Sequence, residues 1–76
     1  MSFAEHDVVK SKSRIEFQDW KGKDVVLPKG TTGAIVLILS KTPPVYEVEF
    51  FDSEGNSLGT AAATDDLIEP KPIDSK

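Results

Sequence analysis

The chain has 76 residues, no cysteine and one histidine, and it carries nine Lys and Arg against thirteen Asp and Glu, a formal net charge of −4. A chain this short buries only about 60% of the surface its unfolded form exposes, so it makes one small domain with a thin core. Without cysteine it has no disulfide, thiolate zinc site or cysteine nucleophile, and His6 alone cannot supply a multi-histidine metal site.

The charge is uneven. Residues 1–30 hold six basic and five acidic side chains, residues 31–44 hold only Lys41, and residues 45–76 hold two basic and eight acidic. An acidic second half repels phosphate, so nucleic-acid binding is not expected. The longest apolar run, Ala34–Leu39, is strand-sized, far below the roughly 18 residues that span a bilayer. Residues 1–10 lack a basic segment followed by an apolar one, so no secretory leader and no membrane association are expected. The expected compartment is the cytoplasm.

In chain order, His6–Lys10 reads as a short strand. Ser11–Lys29 is less regular: Ile15, Phe17 and Trp20 recur at spacings of two and three, matching neither the strand nor the helix period. It reads as a long, partly ordered loop with short strand pieces, the alternative being a helix over Arg14–Lys21. Pro28–Gly33 is a turn with two glycines three apart. Ala34–Leu39, rich in β-branched residues, is a strand, and Ser40–Pro44 returns the chain antiparallel. Val45–Asp52 alternates Tyr46, Val48 and Phe50 with Glu47 and Glu49, the habit of a strand with one buried face. Asp52–Asn56 is turn chemistry, and Ser57–Ala63 closes a hairpin. Asp65–Ile68 forms one helical turn capped by Thr64 or the entry to a last short strand. Two prolines in three residues make the remainder a polar tail. The domain is therefore expected over residues 1–69, with a flexible tail over 70–76.

About five short antiparallel strands, with a long loop after the first, predict a small closed all-β barrel, because closure removes exposed strand edges. The segment Lys29–Gly30–Thr31–Thr32–Gly33–Ala34–Ile35–Val36 resembles the KxGxxGxVV stretch of SH3-like barrels of the KOW type. Gly33–Val36, then Val45–Asp52, then Glu54–Gly55 resemble the "GTVV…AYEVEFxDxxG" pattern of a family of small bacterial domains of unknown function, frequent in cyanobacteria. His6–Val9 and Asp66–Leu67 match the ends of that pattern, so the resemblance spans residues 5–70. It implies an SH3-like barrel and carries over no catalytic residue. Leu58–Ala63 departs from the larger apolar residues typical of the family. That strand should be the weak one, unless a larger side chain such as Trp20 packs across it.

Each chemical motif has a plainer structural reading. Glu47 and Glu49, about 7 Å apart along a strand, have the separation of a glycosidase pair, but an exposed strand face offers no pocket to raise a pKa. Asp65, Asp66 and Glu69, or Asp52, Glu54 and Asn56, could meet a hard cation, yet neither set has calcium-loop spacing. Gly30 and Gly33 precede a strand without the Gly-Lys-Ser/Thr of a phosphate loop. His6 has no nucleophile nearby. No catalytic, cofactor or metal residue is assigned, and no cofactor or enzyme activity is expected.

The expected core is Val8, Val36, Ile38, Tyr46, Val48, Phe50, Leu58 and Leu67, with Ala34 on the same inward face. Ile35 and Leu37 then face outward, or cover a small cluster with Phe17 or Val26. Surplus apolar side chains mark an interface, and aromatics anchor such surfaces. The candidate partner-binding residues are Trp20, Ile35, Leu37 and Phe51. The expected function is a non-enzymatic protein-binding module, monomeric or weakly homodimeric. The resemblance allows it to be the regulatory or antitoxin-like partner of a neighbouring gene product. The alternative is a KOW-like, nucleic-acid- or ribosome-associated module, motivated by Gly30–Val36 and the basic positions Lys10, Lys12, Arg14, Lys21 and Lys23.

Overall fold

The alternation through Tyr46, Val48 and Phe50 organises the molecule. In the computed structural model, which describes residues 3–19 and 21–71, all three side chains are buried. They belong to strand β5 (Pro44–Phe51), which has an antiparallel neighbour on each side. The other strands are β1 (Val8–Ser11), β2 (Ile15–Gln18), β3 (Asp24–Leu27), β4 (Thr32–Lys41), β6 (Ser57–Thr64) and β7 (Ile68–Pro70). There is no helix among the described residues. Five strands form one sheet in the order β6-β5-β4-β1-β7, and β2 and β3 pair separately.

The described residues thus form seven strands, and the main sheet is open in its hydrogen bonding: β6 and β7 end it without pairing to each other. The molecule is 19 Å thick, enough for two sheets about 10 Å apart with their outer side chains.

The segment expected to be a long loop after the first strand is a hairpin. Ile15 pairs with Leu27 and Phe17 with Val25, so these four share the face that packs on the core, while Glu16, Gln18, Asp24 and Val26 face water. Its tip repeats the chemistry of the β5–β6 turn. Asp19 accepts the N–H groups of Lys21 and Lys23 on Oδ1, and its carbonyl accepts Gly22 N–H. Asp52 does the same for Glu54, Asn56 and Gly55. Gly22 (φ 81°) and Gly55 (φ 86°) occupy the left-handed position that such a loop requires.

β4 departs most from expectation. It has ten residues against the eight of β5. Gly33 lies opposite Phe50 and Ile35 opposite Val48; then Leu37 opposes Glu47, Ile38 opposes Tyr46, and Ser40 opposes Val45. Val36 and Leu39 are the two extra residues, each a bulge. Paired residues share a face, so Ile35 points inward with Val48 and is fully buried. Ile38 follows Tyr46 inward and packs against the core, as expected. Val36 and Val8, expected in the core, are instead 43% and 44% exposed. The cause is Gly33. A Cβ there would stand 2.9 Å from Phe50 Cδ1 and 2.8 Å from Val48 Cγ1, so Phe50 lies over a bare backbone. Gly33 is thereby an inward position, and Ala34 and Val36 lose that face.

The core comprises Phe3, Val9, Leu27, Ile35, Tyr46, Val48, Phe50, Ala63 and Ile68. Each large member contributes about 1.5–3 kcal/mol by leaving water. Leu58 and Leu67 pack on it partly buried. Phe3 sets its ring edge-on to Tyr46 at 5.5 Å. At Gly59 the small-residue strand β6 is covered by Phe17, whose Cζ lies 3.2 Å from where a Cβ on Gly59 would stand.

The β1 end is tied to the Pro28–Thr31 turn by Ser11, which is buried. Its hydroxyl donates to Pro28 O and accepts Thr31 N–H, both at 3.1 Å. Asp65–Leu67 is a turn, with Leu67 N–H on Thr64 O. Pro70 and Lys71, read from the sequence as tail, are held by β1: Pro70 pairs with Val9 and Lys71 N–H donates to Val8 O. The rest of the tail, residues 72–76, lies outside the described residues.

Candidate interaction surface

Of the four side chains singled out in the sequence, the three described ones, Ile35, Leu37 and Phe51, do not converge. Trp20 lies outside the described residues. Ile35 is core, for the register reason above, and is unavailable to a partner. Leu37 is 45% exposed on the outer face of the main sheet, opposite Glu47. Phe51 is half-buried at the far end of β5, opposite Thr32. Four residues of strand separate the Phe51 and Glu47 positions, roughly 13 Å.

Leu37 belongs to an apolar patch that the sequence did not reveal. Val36 precedes it, Leu39 (50% exposed) follows it, and Val8 lies across on β1, where it pairs with Ala34. The bulges at Val36 and Leu39 turn out side chains that strict alternation would have shared with the core. A ten-residue apolar strand facing an eight-residue partner was the available signal.

Phe51 lines a different feature, a shallow groove of about 680 Å³ between the Pro28–Thr32 turn and the β5–β6 loop. Val26 and Leu58 add apolar side chains to its lining, and Lys29 and Lys71 add basic ones. Lys71 Nζ donates to Thr32 Oγ1 at 2.7 Å. Asp52 also borders it. Its carboxyl is held below the ordinary aspartate range, chiefly by Asn56 N–H and also by the N–H groups of Glu54 and Gly55.

Three basic residues of the first half have acidic neighbours. Lys10 pairs with Glu69 at 3.6 Å, Arg14 pairs with Glu16, and Lys12 faces Asp66. The acidic residues considered as cation ligands have separate engagements. The Asp66 carboxyl accepts the Thr64 hydroxyl, which lowers its pKa, and Asp65 acts on the Tyr46 hydroxyl. Among the described residues no group of three or more His, Cys, Asp and Glu is placed to hold a metal ion. His6 is exposed with φ 73°, in a turn where its N–H donates to Ile35 O. Tyr46 is a buried titratable side chain. Burial pushes its pKa up, Phe3 N–H on the hydroxyl oxygen opposes this, and Asp65 adds to the rise.

No helix among the described residues is long and apolar enough to cross a membrane. No curated protein and no solved structure matches the chain. A family model, by contrast, matches residues 5–69, from the turn before β1 into β7. With every strand inside or touching that span, the chain belongs to the domain of unknown function DUF4926.

Proposed function

We propose that this domain is a non-catalytic protein-binding module that docks through the outer face of β4. The observation that carries the reading is the patch of Val8, Val36, Leu37 and Leu39, each 43–50% exposed in a domain with few apolar residues to spare. We read the arrangement as SH3-like, a strongly paired meander β4-β5-β6 with a hairpin folded over one face. The partner we favour is the product of a neighbouring gene, with this domain regulatory or antitoxin-like. Support for that choice is the resemblance described above.

Co-expression with the adjacent gene's product tests it. A complex should co-purify and be lost in Leu37→Lys/Leu39→Lys, a variant that places a cation beside Glu47 and keeps the fold. Absence of a complex, or one indifferent to the double variant, refutes the reading. A KOW-like nucleic-acid role is the second reading, favoured by the groove that sets Lys29 and Lys71 beside Phe51 on the Gly30–Thr32 turn. It requires salt-sensitive RNA binding that Lys29→Ala/Lys71→Ala abolishes and the β4 variant leaves intact.

A further inference from the structure

The main sheet has two edges of opposite character. An edge strand leaves a row of backbone N–H and C=O groups facing away from its one neighbour, and proteins blunt such rows with charge, proline or brevity. β7 has all three: it is three residues long, ends in Pro70, and holds Glu69 in its pair with Lys10. β6 has none. Its eight residues, Ser57 to Thr64, include no charged side chain and no proline. Among the described residues, the β2–β3 hairpin guards only its start. Phe17 covers Gly59, Asp19 lines a shallow groove with Ser57–Thr60, and the extra residue Leu58 interrupts the ladder there. From Thr60 to Thr64 no described strand lies outside β6.

We propose that this open edge pairs antiparallel with the same edge of a second copy, on a two-fold axis at Ala62. The occupant is a strand, because only an extended backbone complements a row of alternating donors and acceptors. It is a second copy because the edge is self-complementary. Centred on Ala62, Thr60 meets the other copy's Thr64 on the outer face, and Ala61 meets its Ala63 on the inner face. Thr–Thr pairs across strands are favourable. Small side chains on both copies let the backbones close, and they form no pocket by which a foreign strand's sequence would be read. The net charge of each copy is kept off the axis: Glu47 and Glu49 stand on β5, one strand spacing of about 4.8 Å behind. Two open five-stranded sheets become one ten-stranded sheet with β7 at both ends.

Sedimentation equilibrium of the full chain over a wide concentration range tests this. The wild type should show a reversible monomer–dimer equilibrium. Ala62→Lys and Ala62→Glu, each exposed and each placing like charges face to face, should weaken it at least about tenfold. An equimolar mixture of the two variants should restore it. In the wild type, backbone amides within Thr60–Thr64 should gain hydrogen-exchange protection as concentration rises, a readout needing no variant. A wild type that stays monomeric throughout overturns the proposal. So does a dimer indifferent to Ala62→Lys, or one lost in Leu37→Lys/Leu39→Lys instead.

Discussion

Substituting Gly33 by Ala adds one methyl group and should destabilise the domain through packing rather than backbone strain. The built Cβ meets Val48 Cγ1 at 2.8 Å, Phe50 Cδ1 at 2.9 Å and Glu49 O at 3.1 Å. Neither side chain can retreat, since both are fully buried, and the third neighbour is backbone of the paired strand. Overpacking of this kind costs about 1–3 kcal/mol. A domain of this length has roughly 4–11 kcal/mol in all, and each kcal/mol moves its melting point by about 4–8 °C. The variant should therefore melt roughly 5–20 °C below wild type, by circular dichroism. Gly30→Ala is the contrast: nothing lies within 4 Å of its Cβ, but its φ is +87°, so its cost is the left-handed conformation, about 1–2 kcal/mol. Val48→Ala separates the two mechanisms. Combined with Gly33→Ala it should recover about 1 kcal/mol relative to additivity, and combined with Gly30→Ala it should recover nothing. A Gly33→Ala variant that melts with wild type, or that shows no coupling to Val48, would refute the packing argument.

Tyr46 is the only tyrosine, so tyrosinate absorbance reports it alone. Its folded pKa is raised, so the stability it lends is present below about pH 10 and lost as pH rises through the folded value; ionisation should coincide with loss of the far-ultraviolet signal, and a simple titration at the ordinary tyrosine pKa would contradict its burial. Tyr46→Phe removes the acceptor of Phe3 N–H, leaving a buried donor unpaired, and urea titration should show a loss of about 1–2 kcal/mol. Asp52 has a lowered folded pKa, so its contribution is present above about pH 4 and lost as pH falls below it. Asp52→Asn should therefore destabilise near neutrality and converge with wild type in acid, measured by melts across pH. Leu37→Lys should change stability by no more than about 1 kcal/mol, since nearly half of the side chain already meets water.

Much of the centre of the fold was legible in the residues. The alternation of Val45–Asp52 placed Tyr46, Val48 and Phe50 inward, and the Asp52–Asn56 turn announced the β5–β6 hairpin. The same signals were present at Ile15–Gln18 and Asp19–Lys23. They were masked because two apolar residues make a short alternation, and Trp20 after Phe17 breaks its period. The repeated Asp-x-x-Gly-x loop was the better guide.

The candidate surface was less legible, and the reason is geometric. In a continuous aliphatic run such as Ala34–Leu39, composition says that the strand is apolar but not which side chains turn inward. That depends on pairing. Phe50 over the bare backbone of Gly33 makes Ile35 inward and Val36 outward, and two bulges against a shorter partner turn out Leu37 and Leu39. That the chain is small, acidic and free of cysteine is a property of the sequence by itself, and so are the alternation of β5 and the turn chemistry at its end. Which apolar groups are core and which are surface, and which sheet edge stands open, was decided only by tertiary register, because sequence-distant strands determine each other's faces.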